Sequence, residues 1–139
     1  MQNPIAWQDS LSVGIETIDN QHKSLFQALS DLQKTAQTRG ERQAIQRLFT
    51  FLAQYTVEHF RDEEALMRSW NYSRYEAHKA EHDLLVTRLS ELWESWMAGE
   101  CEIDDVVDFL AIWLSHHIAI NDKHIGIEFR EGGSRESPP

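Results

Sequence analysis

Cysteine and proline are scarce in this chain, and long apolar runs are missing altogether. The single cysteine, Cys101, excludes an internal disulfide and fits a reducing compartment, so the expected location is the cytoplasm. Proline occurs only at Pro4, Pro138 and Pro139, so nothing between those positions forbids helix. The densest apolar stretch, Phe109-Leu-Ala-Ile-Trp-Leu114, falls far short of the ~18–20 residues that a membrane span requires. The first residues, Met1 to Trp7, have neither the basic cluster nor the apolar core of a secretory signal. Basic residues are few as well: 13 Lys+Arg stand against 23 Asp+Glu, a net charge of −10. Such a surface repels phosphates, which argues against nucleic acid and anionic membrane as partners. What the chain does have is seven histidines and five tryptophans in 139 residues, a length that suits one domain.

Four segments show helical periodicity. The first runs from about Asn20 to Gln37, with His22, Leu25, Phe26, Leu29 and Leu32 on one face, Asp19 as its N-cap and Thr38-Arg-Gly40 as its end. The second runs from about Glu41 to Arg68, its inner face reading Ile45, Leu48, Leu52, Tyr55, His59, Glu63, Leu66. The third starts near Ser73, which with Glu76 makes a Ser-x-x-Glu capping box, and carries Tyr75, His78, His82, Leu85, Leu89, Leu92 and Trp96. The fourth starts near Asp104 and carries Val106, Leu110, Trp113, Leu114 and His117. Short connections make neighbours antiparallel. The expected fold is therefore all-α, an up-down-up-down four-helix bundle over residues 1–129. Residues 1–18 would form an extended N-terminal arm, and 130–139 a flexible tail beginning to fray by Gly132.

Polar residues interrupt the apolar faces. His22, His59, Glu63, His78, His82 and His117 sit where core residues belong, on four different helices. Each unpaired polar group buried there would cost about 1–3 kcal/mol, so six scattered intrusions would be ruinous. Convergence on a metal removes the difficulty. His59 to Glu63 and His78 to His82 are four-residue steps, ~40° apart on an ideal helix. Taken singly, each has an ordinary reading: a lone core histidine is commonly structural, and either pair occurs by chance on helix surfaces. Five histidines exceed the four ligands of a structural zinc site, and imidazole with carboxylate suits iron, copper or zinc. Asp122 is ambiguous. It lies ~140° from His117 on a regular helix, so either it takes no part or the helix opens between them. His116 and His124 are expected to be solvated, the tryptophans to pack in the core and at helix ends, and Cys101 to be an exposed loop thiol.

These residues, taken together, resemble the hemerythrin family in its single-domain bacterial form, bacteriohemerythrin. The resemblance covers about positions 5–125. It is carried by Val13-Gly14, Ile18-Asp-Asn-Gln-His22 with Leu25-Phe26, His59-Phe-Arg-Asp-Glu-Glu64 with Leu66-Met67, His78-Lys-Ala-Glu-His82, and Trp113-Leu-Ser-His-His-Ile-Ala-Ile-Asn-Asp122. Two departures are visible: Ser73 stands where proline is usual, and Ile125 where an aromatic residue is common, which implies looser packing beyond Asp122.

The resemblance implies two iron ions with an oxo or hydroxo bridge. His78, His82 and His117 would bind one iron, His22 and His59 the other, and Glu63 and Asp122 would bridge both. One coordination position would stay open on the iron with two histidines. Dioxygen would bind there reversibly, in a dry pocket walled from among Leu25, Phe26, Phe60, Trp113, Leu114 and Ile118. The implied role is oxygen transport, storage or delivery by a monomer, not an enzyme, with an oxygen-consuming enzyme as recipient. Alternatives are oxygen or redox sensing through a partner protein, peroxide or nitric-oxide chemistry at the same centre, and iron storage. Di-iron oxidases of the ferritin type use Glu-x-x-His on two helices. No Glu here has His three residues later. Each ligand imidazole also needs an acceptor for its other N–H, and the sequence does not name one.

Overall fold

The computed structural model describes residues 6–37 and 41–136, with side chains through residue 131. A 3₁₀ turn, Asp9–Leu11, precedes α1 (Glu16–Gln37), α2 (Arg42–Ser69), α3 (Tyr75–Met97) and α4 (Ile103–His117). A π-helical turn, Ile118–Asp122, then joins α4 to α5 (Lys123–Glu136). The helices form a four-rod bundle in which α1 packs along α2 and α4, and α2 along α3. Among the described residues there is no strand. No described helix is long and apolar enough to cross a membrane. The core is the continuous set of inward positions, including Leu25, Leu29 and Leu32 of α1, Phe49, Leu52 and Phe60 of α2, Leu85 and Leu89 of α3, and Val106, Leu110 and Leu114 of α4.

Helix ends follow local chemistry, with some differences from the expected boundaries. α2 stops where Asn71 takes a left-handed φ of 56° and the Tyr72 N–H reaches back to the Met67 carbonyl at 2.9 Å. α3 closes with Gly99 at φ 76°, a conformation that favours glycine. The Asp105 carboxylate accepts from the Glu102 N–H at 3.3 Å and so starts α4. Asp19, expected as the cap of α1, lies inside its first turn because the helix begins at Glu16. Its carboxylate instead ties down the arm, accepting from the Val13 N–H at 2.8 Å and the Ser12 hydroxyl at 2.5 Å. Ser73 does not form a capping box with Glu76, since α3 begins at Tyr75. Its N–H and hydroxyl both donate to Glu128 of α5, at 2.9 and 2.5 Å. A tertiary partner has outbid the local one.

The arm contains a 3₁₀ turn and is not uniformly extended. Trp7 packs edge-on against Phe26 at 6.3 Å, and the Val13 carbonyl lies against the backbone of Gly126. The last rod continues to Glu136, well past Asp122 and past the 130 at which a flexible tail was expected. Once nucleated, a helix extends cheaply, and α5 is anchored by Ile125 and by Phe129 against Trp70 at 4.8 Å. Ile125 is fully buried with Met67 and Tyr72. The expected end of α1 at residues 38–40, the residues before 6 and those after 136 lie outside the described residues.

Candidate metal centre

Each rod contributes to one buried cluster. α1 brings His22, α2 brings His59 and Glu63, α3 brings His78 and His82, α4 brings His117, and the π-turn brings Asp122. All seven are buried, Glu63 and His22 completely. Asp122 arrives by the second of the two routes open to it: the Lys123 N–H bonds back five residues to the Ile118 carbonyl. That wider turn carries Asp122 round to the side of His117.

The seven residues form two overlapping sets. Glu63, His78, His82, His117 and Asp122 present atoms within 4.8 Å of one another, as do His22, His59, Glu63 and Asp122. Every histidine offers Nε2 to the centre, and each carboxylate divides its oxygens between the sets. Glu63 Oε1 lies 2.8 Å from His78 Nε2 and 3.0 Å from His82 Nε2, while Oε2 lies 3.3 Å from His59 and 3.8 Å from His22. Asp122 Oδ1 lies 2.9 Å from His78 and 3.2 Å from His117, while Oδ2 lies 3.0 Å from His22.

The alignment of these contacts decides whether the residues fit a metal. Nε2 of His22, His82 and His117, Oε2 of Glu63 and both oxygens of Asp122 are buried without any hydrogen bond, despite their short separations. Left so, each would carry a desolvation penalty of about 1–3 kcal/mol. Lone pairs that point past one another into shared space suit cations between them, and the donor set of imidazole and carboxylate suits iron, copper or zinc.

Without metal, the carboxylates hold protons on the histidines. Burial pushes the His22 and His78 imidazoles down, but Asp122 and Glu63 outweigh it and hold them at about 9 and about 10. Burial pushes Glu63 up, yet His59, His22 and His78 keep it well below the usual carboxylate range. Asp122 is likewise held below that range by His117 and His22, against its burial and the Glu63 charge.

The Nδ1 atoms of His59 and His82 have hydrogen-bond partners, and that of His117 has a nearby carboxylate, in a pattern that follows a rule. Gln21, beside His22 on α1, holds His59 Nδ1 on α2 at 2.6 Å. Glu64, beside Glu63 on α2, holds His82 Nδ1 on α3 at 2.8 Å. Glu81, beside His82 on α3, places Oε1 3.5 Å from His117 Nδ1 on α4, and Asn121 donates to its other oxygen. A polar residue next to a ligand thus backs the ligand of the following helix. Sequence alone offers that signal only as a flanking polar residue, without saying which helix it reaches.

Aromatic rings close over part of the cluster: Phe60 stacks on His82 at 3.8 Å and Trp113 on His117 at 4.4 Å. A cavity of about 20 Å³ occupies the next layer of the bundle, lined by Leu25, Thr56, Leu85 and Leu114, each three residues from a histidine of the cluster. Leu29, Leu52, Leu110 and Trp113 complete its wall. Of the six residues expected around a pocket, Leu25, Trp113 and Leu114 line this cavity. Phe26 packs on Trp7, Phe60 covers His82, and Ile118 is buried in the π-turn. Leu29, Leu52, Thr56, Leu85 and Leu110 were not singled out, although all continue the helical faces that carry the histidines. His116 is exposed, as expected. His124 is half-buried and shares a 2.7 Å hydrogen bond with the Tyr72 hydroxyl. Cys101 is half-buried against the core, and its burial pushes the thiol up.

The family model for the hemerythrin HHE cation binding domain matches residues 13–126. The chain belongs to the hemerythrin family. Its curated relatives include a bacteriohemerythrin of Pseudomonas aeruginosa, 39% identical over 85% of this chain and 76% of the relative. Another, from Methylococcus capsulatus, is 40% identical over 78% of this chain and 82% of the relative. A crystal structure of wild-type hemerythrin is similar with a TM-score of 0.83 and 36% identity, over 89% of this chain and 96% of that one. Hemerythrins are known for binding oxygen at a di-iron site, and the buried cluster fits a metal centre.

Proposed function

We propose that this hemerythrin-family chain binds dioxygen reversibly, as a carrier or store. His78, His82 and His117 would hold one iron, His22 and His59 a second, and Glu63 and Asp122 would bridge them. The division of each carboxylate's oxygens between the two histidine sets carries this reading. Two irons held by these residues would supply the electrons for reversible dioxygen binding.

The chain's own part is to orient donors and keep water out. Leu25, Leu85 and Leu114 give the cavity an apolar wall, and the Thr56 hydroxyl beside them donates to the Leu52 carbonyl at 2.7 Å, which satisfies it locally. Phe60 and Trp113 cover His82 and His117. The cavity of about 20 Å³ is large enough for a water-sized molecule. The reading extends to a cytoplasmic monomer that hands its oxygen to an oxygen-consuming enzyme. The test is a count of iron per chain, with absorption and resonance Raman spectra of the reduced protein before air, after air and after air is withdrawn. Two irons and an oxygen-isotope-sensitive band that comes and goes are expected. Irreversible oxidation on first exposure to air would overturn the proposal.

A further inference from the structure

The two halves of the cluster are backed by different chemistry. On one side, His82 Nδ1 meets a carboxylate, Glu64, at 2.8 Å, and Glu64 is itself nearly buried. His117 Nδ1 makes no hydrogen bond, although the half-exposed carboxylate of Glu81, which accepts from Asn121, lies 3.5 Å away. On the other side, His59 Nδ1 meets only the neutral amide of Gln21, at 2.6 Å, whose own N–H₂ is taken up by Asp62 at 2.9 Å. His22 Nδ1, like His117 Nδ1, is buried with no hydrogen-bond partner, so the difference between the sides lies in Glu64 against Gln21.

A ligating imidazole keeps its N–H on the other nitrogen. An anionic acceptor there pulls on that proton and makes the ligating nitrogen a stronger donor. Charge-assisted hydrogen bonds are roughly twice as strong as neutral ones, so an amide does this less well. We infer that Glu64 makes the two metal subsites unequal, so that His78, His82 and His117 load a divalent metal first and more tightly than His22 and His59. Glu64 acts as a positioning residue through His82. This rests on the two-metal reading proposed above. The number of histidines, three against two, favours the same order. The variants must therefore separate charge from ligand count.

The experiment titrates the metal-free full-length chain anaerobically with cobalt(II) alone, followed by its visible absorption and by calorimetry. Two steps of one equivalent each are expected, the first at least ~10-fold tighter. Glu64→Gln keeps the shape and removes the charge, and is expected to weaken the first step by about 10–100-fold while sparing the second. Gln21→Glu combined with Asp62→Asn supplies the missing charge to His59 without setting it against the Asp62 carboxylate, and is expected to tighten the second step and narrow the gap. Two equal steps, or a Glu64→Gln variant that weakens both steps alike or neither, would overturn the inference. Should Glu64→Gln fail to fold, Gln21→Glu combined with Asp62→Asn decides alone: an unmoved second step refutes it. Fewer than two cobalt ions per chain would sink the two-metal reading itself, a result distinct from two ions bound with equal affinity.

Discussion

Metal-free protein will store protons where metal would sit, and the effect is large enough to measure. His22 is held at about 9 and His78 at about 10, against an ordinary value of 6.5. Both are therefore almost fully protonated at pH 7, and a cation binding at Nε2 must displace those protons. Loading at pH 7 will release about two protons from these two residues. The same displacement makes stability depend on pH. For His22, the gap between about 9 and 6.5 corresponds to about 3 kcal/mol. His78 leans on the same two carboxylates, so its contribution overlaps and does not simply add. Because folding raises both imidazoles, this stabilisation is complete below pH 6.5 and is lost as pH climbs through about 9 to 10. Glu63 and Asp122 are lowered by folding, so their contribution is present above the ordinary carboxylate range and is lost on acidification. At about 3 °C per kcal/mol for a domain of this size, the melting temperature of metal-free protein will fall by about 10 °C between pH 6.5 and 10. Thermal melts across that range, with calorimetric metal titrations in two buffers of different ionisation enthalpy, measure both quantities. A melting temperature that is flat or rises over this range, or loading without proton release at pH 7, would refute the reasoning.

Three further outcomes are expected. Leu114→Ala opens the cavity wall one turn from His117 and will shorten the lifetime of the oxygenated protein several-fold; autoxidation at the wild-type rate, followed by absorbance, counts against a sheltering role. Gly126→Ala would place a Cβ 1.7 Å from the Val13 carbonyl oxygen, so the arm must shift. A loss of about 1–3 kcal/mol in denaturant unfolding and faster proteolysis near Val13 will report it. Ser73→Ala removes the hydroxyl bond to Glu128 and will cost about 1 kcal/mol by the same measurement, whereas an unchanged midpoint would mean that bond contributes nothing.

The bundle was legible because its periodicity is local: four runs of inward residues separated by short connections leave few other folds. The pairs His59–Glu63 and His78–His82 were legible for the same reason, since a four-residue step fixes two side chains on one face. Asp122 was legible only through the family resemblance and not from spacing, because whether a helix widens depends on which carbonyl the Lys123 N–H chooses, and side-chain pattern does not encode that choice. Ser73 and Asp19 show the opposite failure. Each has the right chemistry for a local cap, but a partner distant in space, Glu128 for one and the arm for the other, competes successfully. Gln21, Glu64 and Glu81 were hidden in plain view beside ligands. Nothing in a linear reading says that each would serve the neighbouring rod.

The π-turn sets more than the reach of one carboxylate. A surplus residue in a helix acts like a frameshift: every position after it is rotated relative to every position before. Ile125 finds Met67 and Tyr72, and Gly126 finds Val13, only in the shifted frame. Deleting one residue between His117 and Asp122 would turn the carboxylate away and swing the remainder of the rod by roughly 100°. The anchorage of the opening segment and the completeness of the metal cage are thereby written into a single register.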